Sequence, residues 1–276
     1  MNDNLGDRMK SYEDVWRQKL TPRMPVIIRL DGKSFHSFTK KFNKPFDKGC
    51  IEVMAQTARE VCSQIEGVVL GYVQSDEISV VLVNYKTYET QAWFDNNIQK
   101  IVSVSAAIAS TEFMKRSRYM WGLQNTNFKI TTGLSEEDCV ALDKTLGSYG
   151  QWPSSSPIFD SRAFVVPKEE VANCLLWRQK DWERNSVQML ARAHFSQKQL
   201  HKLNNKMMKE KLVSEKGIIW EELPIYLKRG IFIKKEIKED GRSSWIIDRE
   251  GPIISQDRNY VENLIYVKES ENDACV

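Results

Sequence analysis

Two short stretches place acidic side chains where apolar runs stop. One is Pro25 to Gly32, PVIIRLDG; the other is Gly71 to Val83, GYVQSDEISVVLV. In the second, Ser75, Asp76 and Glu77 separate the apolar run Val68 to Leu70 from Ile78 to Val83. Gln-Ser-Asp-Glu is poor chemistry for a tight primed turn, so the acids read as placed to hold something positive. Two carboxylates at strand ends, with a glycine allowing close backbone approach, suit a divalent ion that keeps several waters and binds phosphate oxygens. A pair of such ions roughly 4 Å apart clamps an in-line phosphoryl or nucleotidyl transfer. Asp31 and Asp76 are therefore the candidate catalytic carboxylates and metal ligands, with the Gly32 carbonyl adding an oxygen. The expected cofactor is Mg2+, as two ions, with Mn2+ as the alternative. The amides from Gly32 to His36 then form an anion-binding turn for a triphosphate. A blander account stands beside this one: Asp31 closes an Asp-Gly turn and Asp76 is a solvated hairpin acid. Each motif taken alone favours the blander account; their juxtaposition on one fold favours chemistry.

The elements that must carry these residues follow from apolar periodicity. Pro25 to Leu30 is a short, branched run ended by Asp31-Gly32, which predicts a buried strand with Asp31 at its end. Ile51, Met54, Ala55, Ala58, Val61, Cys62 and Ile65 recur at three and four, one face of a helix with Asp47 as N-cap and Gly67 as stop. The two runs flanking Ser75 to Glu77 are the next two strands. A second long helix is expected from about Thr90 to Arg116, and a further strand over Asp160 to Val166. The order strand, helix, strand, strand, helix, strand is the ferredoxin-like arrangement, an α+β fold that brings Asp31 and Asp76 to the same end of neighbouring strands. Residues 1–166 form this palm-like catalytic domain, with 121–158 read as an insertion or mobile segment holding one short helix near Glu136 to Leu142. Residues 167–276 form a helical extension with small β elements in IFIKKEI and SWIID.

Composition narrows the classes. A net charge of +3 over 276 residues means that any nucleic-acid surface must come from local clusters of Lys and Arg. Five cysteines without a C-x-x-C pair argue against a zinc site and a disulfide framework, and fit a reducing cytoplasm. With three histidines, a histidine-rich metal site is disfavoured. No apolar run is long enough to span a bilayer, and the polar start MNDNLGDRMK is not a signal peptide.

The phrases RLDGKSFHSF, KPFD, GYVQSDEIS, FDSR, WRQKD and LKRG, in this order, resemble the tRNA(His) guanylyltransferase family, and the likeness runs from LGDRMKSYE to about Ile231. That family comprises reverse, 3′-to-5′ nucleotide-adding polymerases built on the palm of conventional polymerases. The resemblance implies that Asp31, Gly32 and Asp76 are metal ligands, and that Asp31, Gly32, Lys33, Ser34, Phe35 and His36 hold a nucleoside triphosphate with Ser75 and Asp76. It places Lys44, Asp47 and Lys100 near the second nucleotide and the phosphates. Lys100 has an equal competitor as a solvated rim charge, and His36 one as a half-buried loop histidine. Glu77 reads as a supporting acid rather than a third ligand.

After WRQKD the chain reads ERNSVQM, Glu183 to Met189, where only Asn185 matches the pattern of the eukaryotic members. This variant resembles the bacterial and archaeal "like" branch, which implies templated repair of 5′-truncated tRNAs and puts guanosine addition to tRNA(His) in doubt. Asn185 is a candidate nucleotide contact, with a plain polar helix position as its alternative. ATP and GTP are the implied substrates, tRNA the implied partner, and a homotetramer the implied assembly. Arg178, Arg184, Arg192, Lys198 and Lys202 within the basic run to Lys211, then Lys228, Arg229, Lys234 and Lys235, are the candidate RNA contacts. A solvated helix face is the competing account of any single one of them. Two other functions stay open: a palm-fold nucleotide cyclase, and a non-catalytic tRNA-binding protein.

Overall fold

The computed structural model describes residues 4–122, 157–238 and 240–267. After an N-terminal helix α1 (Leu5–Asp14), the chain forms β1 (Val26–Lys33), a single helical turn α2 (Phe35–Phe38), α3 (Lys48–Gln64), β2 (Val68–Gln74), β3 (Glu77–Leu82), α4 (Ile98–Gly122) and β4 (Ile158–Val165). Then come α5 (Lys168–His194), α6 (Gln197–Leu200), α7 (Asn205–Lys216), α8 (Ile225–Arg229), β5 (Ile231–Ile237), β6 (Ser243–Asp248) and α9 (Asn259–Ile265). The six strands make one antiparallel sheet in the order β4-β1-β3-β2-β5-β6. Its first four strands have the expected ferredoxin-like order, and the two strands of the C-terminal part extend the same sheet at the β2 edge.

Apolar side chains cover both faces. Ile28, Leu30, Ile78, Val80 and Val73 pack with Met54, Ala58 and Val61 of α3 and Ile101, Ala109 and Phe113 of α4. Ile27, Val81, Leu70, Tyr72 and Phe232 pack on the opposite face with Val171 and Leu175 of α5 and Val261 and Ile265 of α9. Double coverage is why β2 and β3 read as continuous apolar runs rather than alternating ones: every residue in both is buried. A separate cluster of Val187, Leu190, Phe195, Leu212 and Trp220 ties α7 to the C-terminal half of α5.

Several expectations change in detail. β1 runs through Asp31 and Gly32 to Lys33, because all three pair with β4, so Asp31 lies inside the strand rather than closing it. The second long helix starts at Ile98, eight residues later than the periodicity suggested. Phe94, Asp95 and Asn96 take left-handed φ values of 49°, 51° and 58°, which an α-helix excludes, and the Asn97 side chain then caps the true start by accepting from Lys100 N–H (3.1 Å). The basic run after Lys198 is split between α6 and α7 by a loop holding Lys202 at φ 64°. Between 123 and 156 the expected insertion, with its short helix at 136–142, lies outside the described residues.

Gly230, between α8 and β5, is a required glycine. Its φ of 80° and ψ of −173° are accessible to glycine almost alone, and a Cβ there would sit 2.5 Å from the Val73 carbonyl oxygen. Gly230→Ala should destabilise the fold by about 2–4 kcal/mol, strain and overpacking together. Denaturant unfolding measures it; a shift under about 0.5 kcal/mol would rule this account out.

Candidate active site

Strand alternation decides where the acids point. Ile28 and Leu30 face α3 and α4, so Ile27, Arg29 and Asp31 face the α5 side. Asp31 lies opposite Glu77 of β3 and Asp160 of β4. β2 and β3 are joined by two residues, Ser75 and Asp76, with Ser75 at φ 50°. The tight hairpin therefore forms despite its unfavourable residues, at a cost of about 1–2 kcal/mol for a left-handed serine. The return is position: Gly32 N–H donates to the Asp76 carbonyl oxygen (3.0 Å), locking the hairpin tip against β1. Gly32 is itself obligatory, since a Cβ would lie 2.3 Å from the Phe35 ring. That ring stacks edgewise among Phe113 and Phe159, both 5.2 Å away, and anchors the turn after β1.

Asp31 and Asp76 line one cavity of about 330 Å³, together with Glu77, Arg178, Asn185 and Arg192. Burial raises the Asp76 carboxyl above its usual range; its own backbone amide and the Ser75 hydroxyl oppose the rise, while the charges of Asp31 and Glu77 add to it. A half-buried carboxylate whose ionisation is opposed by burial and by a neighbouring carboxylate's charge fits a cation between the two. Among the described residues no group of three or more His, Cys, Asp or Glu side chains converges. Two carboxylates on one cavity suit Mg2+, which completes its shell with water and phosphate oxygens.

Glu77 is not free to join that set. Arg178 Nε and Nη2 each donate to one of its oxygens at 2.7 Å, and Nη2 also reaches Asp181 (3.2 Å). The pair is nearly buried, at 12% and 11% side-chain exposure. Gln74 Nε2 adds a third donor to Glu77 at 3.2 Å.

A second cavity of about 260 Å³ shares Gln74, Ser75 and Asp76 with the first and is walled mainly by apolar groups, among them Phe42, Phe46, Met54, Trp182 and Tyr226. His36 and Lys44 also line it, both exposed, so His36 is not the half-buried histidine of the alternative. Lys44 Nζ donates to the Thr39 carbonyl (3.2 Å). Asp47 lines the same cavity, but both its oxygens serve the backbone: Oδ1 accepts from Cys50 N–H (2.8 Å) as the N-cap of α3, and Oδ2 from Asn43 N–H (3.1 Å). Lys33 and Ser34 are exposed at the end of β1, with Ser34 at φ 58° opening α2.

Lys100 is elsewhere. It lines an open cleft with Lys19, Arg23 and Asn84, at the end of the sheet where β1 begins, opposite to the carboxylates. The candidate RNA contacts also divide. Arg184, Arg192, Lys198, Lys202 and Lys235 are exposed. Lys228 is only 6% exposed and donates to the Glu221 carbonyl, and Arg229 Nε pairs with Glu183 (2.9 Å). Arg178 and Lys228 are thus internal braces rather than free phosphate contacts, because Glu77 and Glu221 lie over them. Trp182, Met189 and Tyr226 are among the lining residues that sequence reasoning missed; their spacing on α5 and α8 is indistinguishable from ordinary core until the helices are docked.

A ferredoxin-like sheet with one carboxylate at the tip of its central hairpin and a second on the adjacent strand β1, beside an apolar slot, defines a palm-type nucleotidyltransferase. The chain belongs to the tRNAHis guanylyltransferase family, whose model matches residues 6–167. Its fold matches a bacterial tRNA(His) guanylyltransferase (Thg1)-like protein solved in complex with ATP, at TM-score 0.80 and 43% identity over 96% of this chain and 100% of that one. A bacterial Thg1-like protein in complex with GTP matches at TM-score 0.73 and 39% identity, with the same coverage. The tRNA(His) guanylyltransferase of Schizosaccharomyces pombe is 27% identical over 96% of this chain and 92% of its own length. Among the described residues no helix is long and apolar enough to cross a membrane.

Proposed function

We propose that this member of the family extends the 5′ end of tRNA backwards, restoring truncated acceptor stems by templated addition, with guanosine addition to tRNA(His) as the narrower activity of the same site. The observation that carries this reading is the shared cavity of Asp31 and Asp76, braced through Gly32 and sharing wall residues with an apolar slot. Relatives solved with ATP and with GTP support the choice of nucleotides.

Asp31, Asp76 and the Gly32 carbonyl would hold Mg2+, which supplies polarisation of the attacking oxygen and neutralisation of the leaving phosphates. The chain's own groups do the rest. Amides of the turn that follows Gly32, as far as His36, cradle the triphosphate with Ser75, and Lys44 offsets its charge. The apolar slot takes the base, and Asp47 keeps its wall in place through the α3 cap. Asn185, which lines the same cavity as Asp31, is a nucleotide contact. In the first step an oxygen of the tRNA 5′-monophosphate attacks the α-phosphorus of ATP and pyrophosphate leaves. In the second, the 3′-hydroxyl of the incoming nucleotide attacks the activated 5′-phosphorus and AMP leaves. Pairing with the opposite strand selects the nucleotide, so the protein need not read bases. Arg184, Arg192, Lys198 and Lys202 contact RNA phosphates in a salt-dependent manner. A homotetramer in the cytoplasm, with residues 167–276 serving RNA and oligomer contacts, belongs to the same reading.

The test supplies the purified chain with tRNA(His) and a set of 5′-truncated tRNAs, plus ATP, GTP and magnesium, and sequences the 5′ ends. Regained template-matched nucleotides, lost on adding a chelator, are the expected result. Cyclic nucleotide made without RNA, or RNA binding with no incorporation, would replace the reading with a cyclase or a binding protein.

A further inference from the structure

Trp177 belongs to the WRQKD phrase, yet nothing in the nucleotide cavities uses it. It is 52% exposed on α5, and two guanidinium carbons lie over its ring, Arg178 at 4.6 Å and Arg29 at 5.6 Å. Arg178 is fixed by Glu77, so the indole is held in place although half its surface is open. Arg29 shares the sheet face of Asp31, two residues away and so roughly 7 Å along the strand. Its Nε is buried without a hydrogen-bond partner, and no carboxylate pairs with it among the described residues. Across the β1–β4 ladder, Arg29 faces Arg162, which is exposed. The ledge beside Asp31 thus offers a flat, immobilised aromatic surface with cationic groups around it, and among the described residues no carboxylate answers Arg29.

We propose that Trp177 is the stacking platform for the terminal base of the RNA 5′ end, holding that end beside Asp31 while Arg29 meets its phosphates. This rests on the RNA 5′-extension proposed above and names the surface that positions its substrate. Unstacked nucleic-acid ends bind by this combination of aromatic face and guanidinium. Trp177 acts by position, not on the reacting atoms.

The experiment compares wild type with Trp177→Phe and Trp177→Leu on a 5′-truncated tRNA. Each is also bound to the same tRNA carrying 2-aminopurine at its 5′ terminus, whose fluorescence stacking quenches. Trp177→Leu should raise KM for tRNA about tenfold to a hundredfold, leave KM for ATP within about twofold, and lose the quench. Trp177→Phe should keep most of both. Wild-type KM for tRNA and an undiminished quench in Trp177→Leu would overturn the proposal. So would unchanged tRNA affinity with an altered oligomeric state, which would make Trp177 a contact between copies. Failure of the wild type to extend RNA would instead remove the functional reading, and this inference with it.

Discussion

Asp31→Ala and Asp76→Ala should each lower the rate of nucleotide addition to a 5′-truncated tRNA by on the order of 10³-fold or more, while tRNA binding stays close to wild type. Both carboxylates line the same cavity, and the Asp76 carboxyl is already raised by burial and by its neighbours' charges. Removing either leaves a single carboxylate to hold a divalent ion against a triphosphate. Folding should survive, because neither side chain makes a hydrogen bond that the sheet needs; the Asp76 contact to Gly32 is through backbone atoms. Single-turnover extension with magnesium titrated upward is the measurement. A variant that matches wild type at every magnesium concentration would show that the acids are not ligands.

The second large effect is on stability. Arg178→Ala should cost about 3–5 kcal/mol, because it strands the Glu77 carboxylate in a nearly buried site facing Asp76. Arg178→Met combined with Glu77→Gln should cost much less, since replacing both partners removes the unpaired charge. Guanidinium chloride unfolding of the two variants and the wild type tests the pair. A loss below about 1 kcal/mol for Arg178→Ala would mean that water reaches Glu77 freely. Nucleotide addition should fall in Arg178→Ala as well, because an unpaired Glu77 adds negative charge beside the carboxylate pair.

How much of this could be read from the chain divides by the range of the interaction. The Asp47 cap, the α3 face and the two apolar runs around Ser75 and Asp76 are set by backbone geometry within a few residues, and the structure places them as read. The start of α4 differs because Phe94 continues the three-and-four spacing of Ile98 and Ile101 along the chain, yet it is 37% exposed and is the first of three left-handed residues that end any helix. The hairpin was legible in position but not in tightness, since the left-handed Ser75 is held by the surrounding sheet rather than by its own preference.

The sequence by itself determined the strand and helix order, and with it the meeting of Asp31 and Asp76, because a ferredoxin-like order admits one arrangement of its four strands. Only the tertiary structure decided what each long cation does. Arg178 and Lys228 became braces, Arg184 and Arg192 stayed exposed, and Lys100 went to the far end of the sheet. A lysine or arginine reaches several ångströms from its backbone, so its partner depends on which distant element packs over it, and no local pattern carries that information.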